Sequence, residues 1–275
     1  MAHVKRLVAL AVLVGCGGKT AGLDARSAPN GRADAAAAIG SGSGSGSGVA
    51  KQTGDAQVRV EWKDPPAPVR TALGRDACGT PNRAAVEPTS TWGIPDVAVW
   101  IDGAPTAGVP ASVRVVIGPC LASPRVTIAH PGATLAITSA VERPLSPRVV
   151  HYGEPGQGAI KPSAPTTPLQ LPVIGHEVDL ALAAPALDDV EALESDAWVV
   201  TTATAAGVTD AQGQVVLRDL PVGAHAVTAL LPKRGTTEAR VARGKLDVLP
   251  GGLAELTLDL GAPALTPQVL TKVVP

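Results

Sequence analysis

Gly207-Val208-Thr209-Asp210-Ala211-Gln212-Gly213-Gln214-Val215-Val216-Leu217, followed by Leu220-Pro221-Val222-Gly223-Ala224-His225-Ala226-Val227, is a turn-and-strand pattern repeated twice in succession. Asp210 to Gly213 suits a tight hairpin, because Gly213 can take the positive φ that such a bend requires. Val215 and Leu217 then alternate with polar or outward positions, the period of a strand. Pro221-Val222-Gly223 makes a second turn into a further strand running through Val227.

The same punctuation recurs on both sides. Val58, Val60 and Trp62 alternate with Gln57, Arg59 and Glu61 until Pro65-Pro66-Ala67-Pro68 stops the run. Short apolar runs bounded by Gly or Pro follow at 97–101, 113–117, 126–128, 135–137, 149–151, 178–182, 198–200, 226–230 and 246–249. Leu256, Leu258 and Leu260 alternate again. With 26 Pro and 30 Gly as breakers, this reads as an all-β, Greek-key antiparallel β-sandwich. One segment, 185–194, carries Leu187, Val190 and Leu193 at every third position and is expected to be a short helix.

Composition sets what the core is made of. Hydrophobic residues are 45% of the chain, yet aromatics are 2%, with no Phe, one Tyr and four Trp. Val, Leu, Ile and Ala must fill the interior. A formal net charge of -1 and so few aromatic platforms exclude a nucleic-acid partner.

The hairpin at 207–217 and the Pro-x-Gly turn after it resemble the carboxypeptidase-regulatory-like (transthyretin-like) module, with His225 where that family places an aromatic residue. Upstream, Gly118-Pro119-Cys120-Leu121-Ala122-Ser123-Pro124-Arg125-Val126, then Pro131-Gly132-Ala133-Thr134-Leu135-Ala136-Ile137, resembles the cupredoxin-like family in its plastocyanin-like, methylamine-utilisation form. The order of motifs is similar across 57–261, which implies a cupredoxin-like sandwich over 57–206 and the regulatory-like module over 207–261. The family's copper ligands have no counterparts here. A blue-copper site uses a thiolate, two imidazoles and a weak axial Met, but no Cys follows Cys120 and Met1 is the single methionine. Neither metal nor cofactor is therefore expected.

The N-terminus decides location. Lys5 and Arg6 precede an apolar run from Leu7 to Val14, shorter than the roughly 20 residues of a bilayer crossing. The run closes as Leu13-Val14-Gly15-Cys16, which resembles a bacterial lipoprotein signal with its lipobox. The resemblance implies cleavage after residue 15, acylation of Cys16, and a membrane partner reached through that lipid anchor. Gly17, rather than Asp, implies the outer membrane. Residues 16–56, with Ala35-Ala36-Ala37-Ala38 and the Ser-Gly repeat ending at Gly48, are expected to be a disordered linker. Residues 262–275 are expected to be a tail. Once Cys16 is acylated, Cys78 and Cys120 remain, and an exported compartment favours their disulfide; two buried free thiols are the alternative.

No constellation points to catalysis. His130, His151, His176 and His225 lack mutual ligand spacing, and His176-Glu177 has Leu180 where a zinc-protease motif needs a second His. Asp188, Asp189, Glu191, Glu194 and Asp196 lack the order of a calcium loop and read as a solvated face. There is no Gly-x-Ser-x-Gly elbow. The Pro-rich stretch 153–168 reads as a long loop that could carry binding. The resulting expectation is a non-enzymatic envelope lipoprotein with a structural role or an envelope protein partner; the alternative is a metal-binding or electron-transfer cupredoxin with an unusual site.

Overall fold

The first strand shows how this chain uses its aliphatic residues. In β1 (Thr53–Glu61) alternate positions Gly54, Ala56, Val58 and Val60 are buried, as a strand with one face on a core requires. The structure, a computed structural model, describes residues 52–67, 88–105, 111–152, 167–192, 195–234, 237–261 and 271–274. β1 lies between β13 (Gln214–Pro221), antiparallel to it, and β16 (Leu253–Asp259), parallel to it. β17 (Thr271–Val274) extends this sheet from β16. The facing sheet runs in the order β12 (Thr204–Val208), β2 (Ala98–Pro105), β14 (Gly223–Leu231), β15 (Arg240–Val248). Val58, Val60, Val99, Ile101, Leu217, Val227, Leu246 and Leu256 share the core between the two sheets.

A second sandwich is formed by the segment between β2 and β12. One of its sheets has the order β4 (Ala122–Ser123), β3 (Ser112–Ile117), β6 (Thr134–Ser139), β9 (Glu177–Ala181). The other has the order β5 (Val126–Ala129), β11 (Ser195–Thr201), β10 (Ala186–Ala192), β7 (Arg148–Tyr152), β8 (Thr167–Pro168). Val115, Ile117, Leu135, Ile137, Val149, Val190 and Val199 lie in its core.

A third apolar cluster joins the sandwiches. Ala98, Trp100 and Leu230 from β2 and β14 meet Val126, Leu187, Trp198 and Val200 from β5, β10 and β11. The sheet holding β10 and β11 is thus covered on both faces.

The all-β sandwich architecture is as expected, with three differences. First, β1–β16, β3–β6 and β5–β11 are parallel pairs, so three of the four sheets are mixed and only β12-β2-β14-β15 is purely antiparallel. Second, the body does not divide at 206/207. β1 and β2 belong with β12 to β16, and the 112–201 sandwich is an insertion between them. Contiguous segments are neighbours only about two-thirds of the time, and sequence order alone could not show that β1 crosses to β16. β1 also begins within the expected linker, and β17 lies within the expected tail. Third, the segment 186–192 is strand β10, not helix. A strand buried on both faces loses its period of two, and the spacing of Leu187 and Val190 then imitates a helix.

Candidate functional site

The Thr209–Gly213 hairpin is a structural device. Thr209 Oγ1 donates to the Ile94 carbonyl at 2.8 Å and accepts from the Val97 amide at 2.9 Å, both buried. Asp210 Oδ1 accepts from the amides of Gln212 and Gln214 at 2.8 and 2.9 Å. Gly213 has φ +77°, and a Cβ there would come within 2.5 Å of the Ile94 nitrogen. The motif therefore fastens β12 and β13 to the segment 93–97 that leads into β2.

Chemistry concentrates on β10. Leu187-Asp188-Asp189-Val190 is buried throughout, with Asp188 2% and Asp189 3% exposed. Adjacent strand residues face opposite sides. Asp188 stands opposite His151 on β7, and the His151 Nδ1 and Asp188 Oδ1 atoms share a short hydrogen bond. Burial pushes the Asp188 carboxyl up, and the His151 contact opposes that shift in part.

Asp189 shares the face of Leu187, towards the third cluster. Its Oδ1 is buried without a hydrogen-bond partner. Burial first, then the charges of Asp196 and Glu191, push it up to about 8, while Lys233 pulls the other way. Burial and Glu191 likewise raise Asp196, opposed by Lys233 and Arg125. Tyr152 is raised by burial and by Asp189, Glu191 and Asp196. Its ring lies 5.3 Å from that of Trp198, whose indole N–H donates to the Lys233 carbonyl at 3.1 Å. Burial and the neighbouring acids therefore favour the protonated form of Asp189 in the joint between the sandwiches.

The open surface lies at the end of the sheet where β7 begins. A groove of about 440 Å³ is lined by Arg143, Pro144, Ser146, Pro147, Arg148 and Glu191, among others. His151 does not line it, so the imidazole and the groove are separate features. In the turn before β9, Val173 and Ile174 are 57% and 55% exposed.

The acidic group expected as a solvated face is thus corrected for its first two members, which are buried because β10 is covered on both sides. Two consecutive aspartates inside an otherwise apolar run were the available signal. The other site residues are dispersed. His130 Nδ1 is 2.8 Å from the Pro131 carbonyl and His225 Nε2 2.7 Å from that of Pro221, while His176 is exposed before β9. Among the described residues no group of three or more His, Cys, Asp or Glu is placed to hold a metal ion. Cys120 is half-buried in the bend between β3 and β4. Cys16, Cys78 and most of the 153–168 loop lie outside the described residues.

No family model matches the chain, and no curated protein does so either. Among solved structures it is similar to a purple cupredoxin from Nitrosopumilus maritimus. The identity is 11% and the TM-score 0.25, over 33% of this chain and 99% of that one.

Proposed function

We propose that the protein is a membrane-anchored envelope lipoprotein whose β-sandwiches serve a non-catalytic binding or structural role. The observation that carries the reading is the order Lys5-Arg6, an apolar run, then Leu13-Val14-Gly15-Cys16. Cys16 is the acylated residue, and the linker after it spaces the folded part from the bilayer. In this reading the 112–201 sandwich is a cupredoxin-like domain without copper ligands, and the strands around Thr209–Gly213 form a regulatory-like module that receives it. Support for a non-catalytic role comes from the titratable groups. The most strongly shifted one, Asp189, is buried against the third apolar cluster and does not line the open groove.

The test is metabolic labelling with a fatty acid, followed by fractionation of the envelope. The wild-type chain should carry the label and sediment with outer membranes. Cys16→Ser should lose both the label and normal processing. Labelling and membrane retention unchanged in that variant would overturn the anchor. Several acyl chains, each adding about 0.8 kcal/mol per buried methylene, would hold the protein far more firmly than one.

A further inference from the structure

We propose that the joint between the two sandwiches is a proton-controlled hinge, closed while Asp189 keeps its proton and loosened when it gives the proton up.

Each sandwich has a core of its own, one around Val58, Val99 and Leu246, the other around Ile117, Leu135 and Val190. The chain passes between them twice, from β2 into β3 and from β11 into β12. A third, smaller apolar cluster, with Trp100 and Leu230 on one side and Leu187 and Trp198 on the other, lies between the two. Such a contact can loosen without unfolding either core.

Asp189 lies inside the contact. It stands opposite Trp198 on β11 and Val150 on β7, buried and with Oδ1 unpartnered. The Trp198 indole N–H crosses the joint to the Lys233 carbonyl. Charged and titratable groups reach the carboxyl from each element around it. Glu191 is two residues along β10 and pairs with Asp196 on β11. Tyr152 comes from β7, and Lys233 from the segment after β14. Arg125, ahead of β5, acts on Asp196. β2 contributes Ala98 and Trp100, which carry no charge. An ionised Asp189 would thus be a third acidic charge beside an apolar contact, with one oxygen unsolvated. Parting the sandwiches returns that carboxylate to water.

The sign follows from the two ionisation ranges. In the closed joint the carboxyl is raised to about 8, against about 3.9 in water. Between those values the closed form holds one proton more than the open form. The open-to-closed ratio therefore rises with pH, by up to about tenfold per pH unit, and levels off above the upper value.

Hydroxyl-radical footprinting of the full chain, read by mass spectrometry from about pH 5 to about pH 9, spans that window. Trp100 and Trp198 report the joint, while Trp62 and Leu135, buried in the separate cores, are controls. Labelling of the joint pair should climb with pH and level off above about 8, with both controls unchanged. Asp189→Asn should keep it flat. Lys233→Met should move the plateau to higher pH and Glu191→Gln to lower pH, since Lys233 lowers the carboxyl and Glu191 raises it. Protection of Trp100 and Trp198 at every pH overturns the proposal. So does a climb shared by the controls, which is unfolding of the whole body, or a climb that persists in Asp189→Asn. If Asp189→Asn does not fold, the other two variants decide: plateaus unmoved, or moved in the opposite directions, overturn the hinge.

Discussion

Asp188 and Asp189 are consecutive on one strand and are buried on opposite faces of the same sheet. Asp188 meets the His151 imidazole. Asp189 meets Tyr152, Trp198 and two other acids in the joint between the sandwiches, with one oxygen unpartnered. Burial raises both carboxyls, and only at Asp188 does a neighbouring imidazole oppose the rise. The same strand therefore carries a polar tie on one face and a proton-dependent joint on the other.

That difference makes stability depend on pH through Asp189. An unfolded Asp ionises near 3.9, whereas the folded carboxyl is raised to about 8. Between those values the folded protein binds the extra proton. Stability contributed by the neutral acid is fully present below the unfolded value, is lost as pH rises through the window, and levels off above about 8. Asp189→Asn removes the charge without changing shape. It should leave stability nearly unchanged at pH 4 and raise it by several kcal/mol at pH 9, with a gap of about 4 units at about 1.4 kcal/mol each as the upper bound. Urea titrations of both proteins at several pH values measure this. Parallel stability profiles would refute it.

His151 should matter through Asp188. The imidazole lowers a carboxyl that burial alone would raise further. His151→Ala is expected to shift Asp188 further up and to destabilise the fold by about 1–3 kcal/mol near neutral pH. The cost should shrink in acid, where the carboxyl is neutral with or without its partner. A carboxyl titration followed by NMR, beside thermal melts, reports both effects. An unmoved Asp188 would show that the contact does not act on its proton.

The parts of the fold legible in the sequence were those with one exposed face. β1 and β16 alternate because one side is solvated or edge-like, and their residues could be assigned to a core from spacing alone. β10 could not, because a sheet covered on both sides removes the alternation and leaves aspartates looking like a solvated face. The insertion of 112–201 was illegible for another reason. Nothing in the residues of β1 marks β16, about 200 positions later, as its parallel neighbour, since long-range pairing is decided by packing and not by local pattern. The groove residues Arg143, Arg148 and Glu191 were missed because each is unremarkable alone. Only the pairing of β7 with β10 sets Arg148 opposite Glu191.

The hairpin offers a sharper stability test than any core aliphatic. Thr209→Val keeps the shape but leaves the Val97 amide and the Ile94 carbonyl without the hydroxyl at 2.9 and 2.8 Å. A loss of roughly 2–4 kcal/mol is expected, from two buried groups at about 1–3 kcal/mol each with partial relaxation. Gly213→Ala should cost a similar amount, because φ +77° and the Ile94 backbone both oppose a Cβ. Gln212→Ala, at an exposed position of the same turn, should stay within about 0.5 kcal/mol. Denaturant midpoints rank the three. Equal effects at 209 and 212 would mean that the Thr209 hydroxyl is not the fastener.

The last prediction concerns the cysteines. Cys120 sits in a bend between two short strands, and the chain has only Cys16 and Cys78 as other cysteines. With Cys16 acylated, Cys78 is the partner expected in an oxidising compartment. Closing a loop of about 42 residues would stabilise the fold by roughly 4 kcal/mol in the chain-entropy model. That is a large share of the roughly 5–15 kcal/mol typical of a domain, and a core without Phe has fewer large side chains to replace it. Cys78→Ser and Cys120→Ser should each lower the denaturation midpoint by the same amount, and the double variant should lose no more than either single one. Reductant should destabilise the parent alone. Peptide mapping of the unreduced mature protein should recover a Cys78–Cys120 linked pair. Two alkylatable thiols in the unfolded, unreduced protein would refute the bridge, and additive losses in the double variant would show that the two sulfurs act separately.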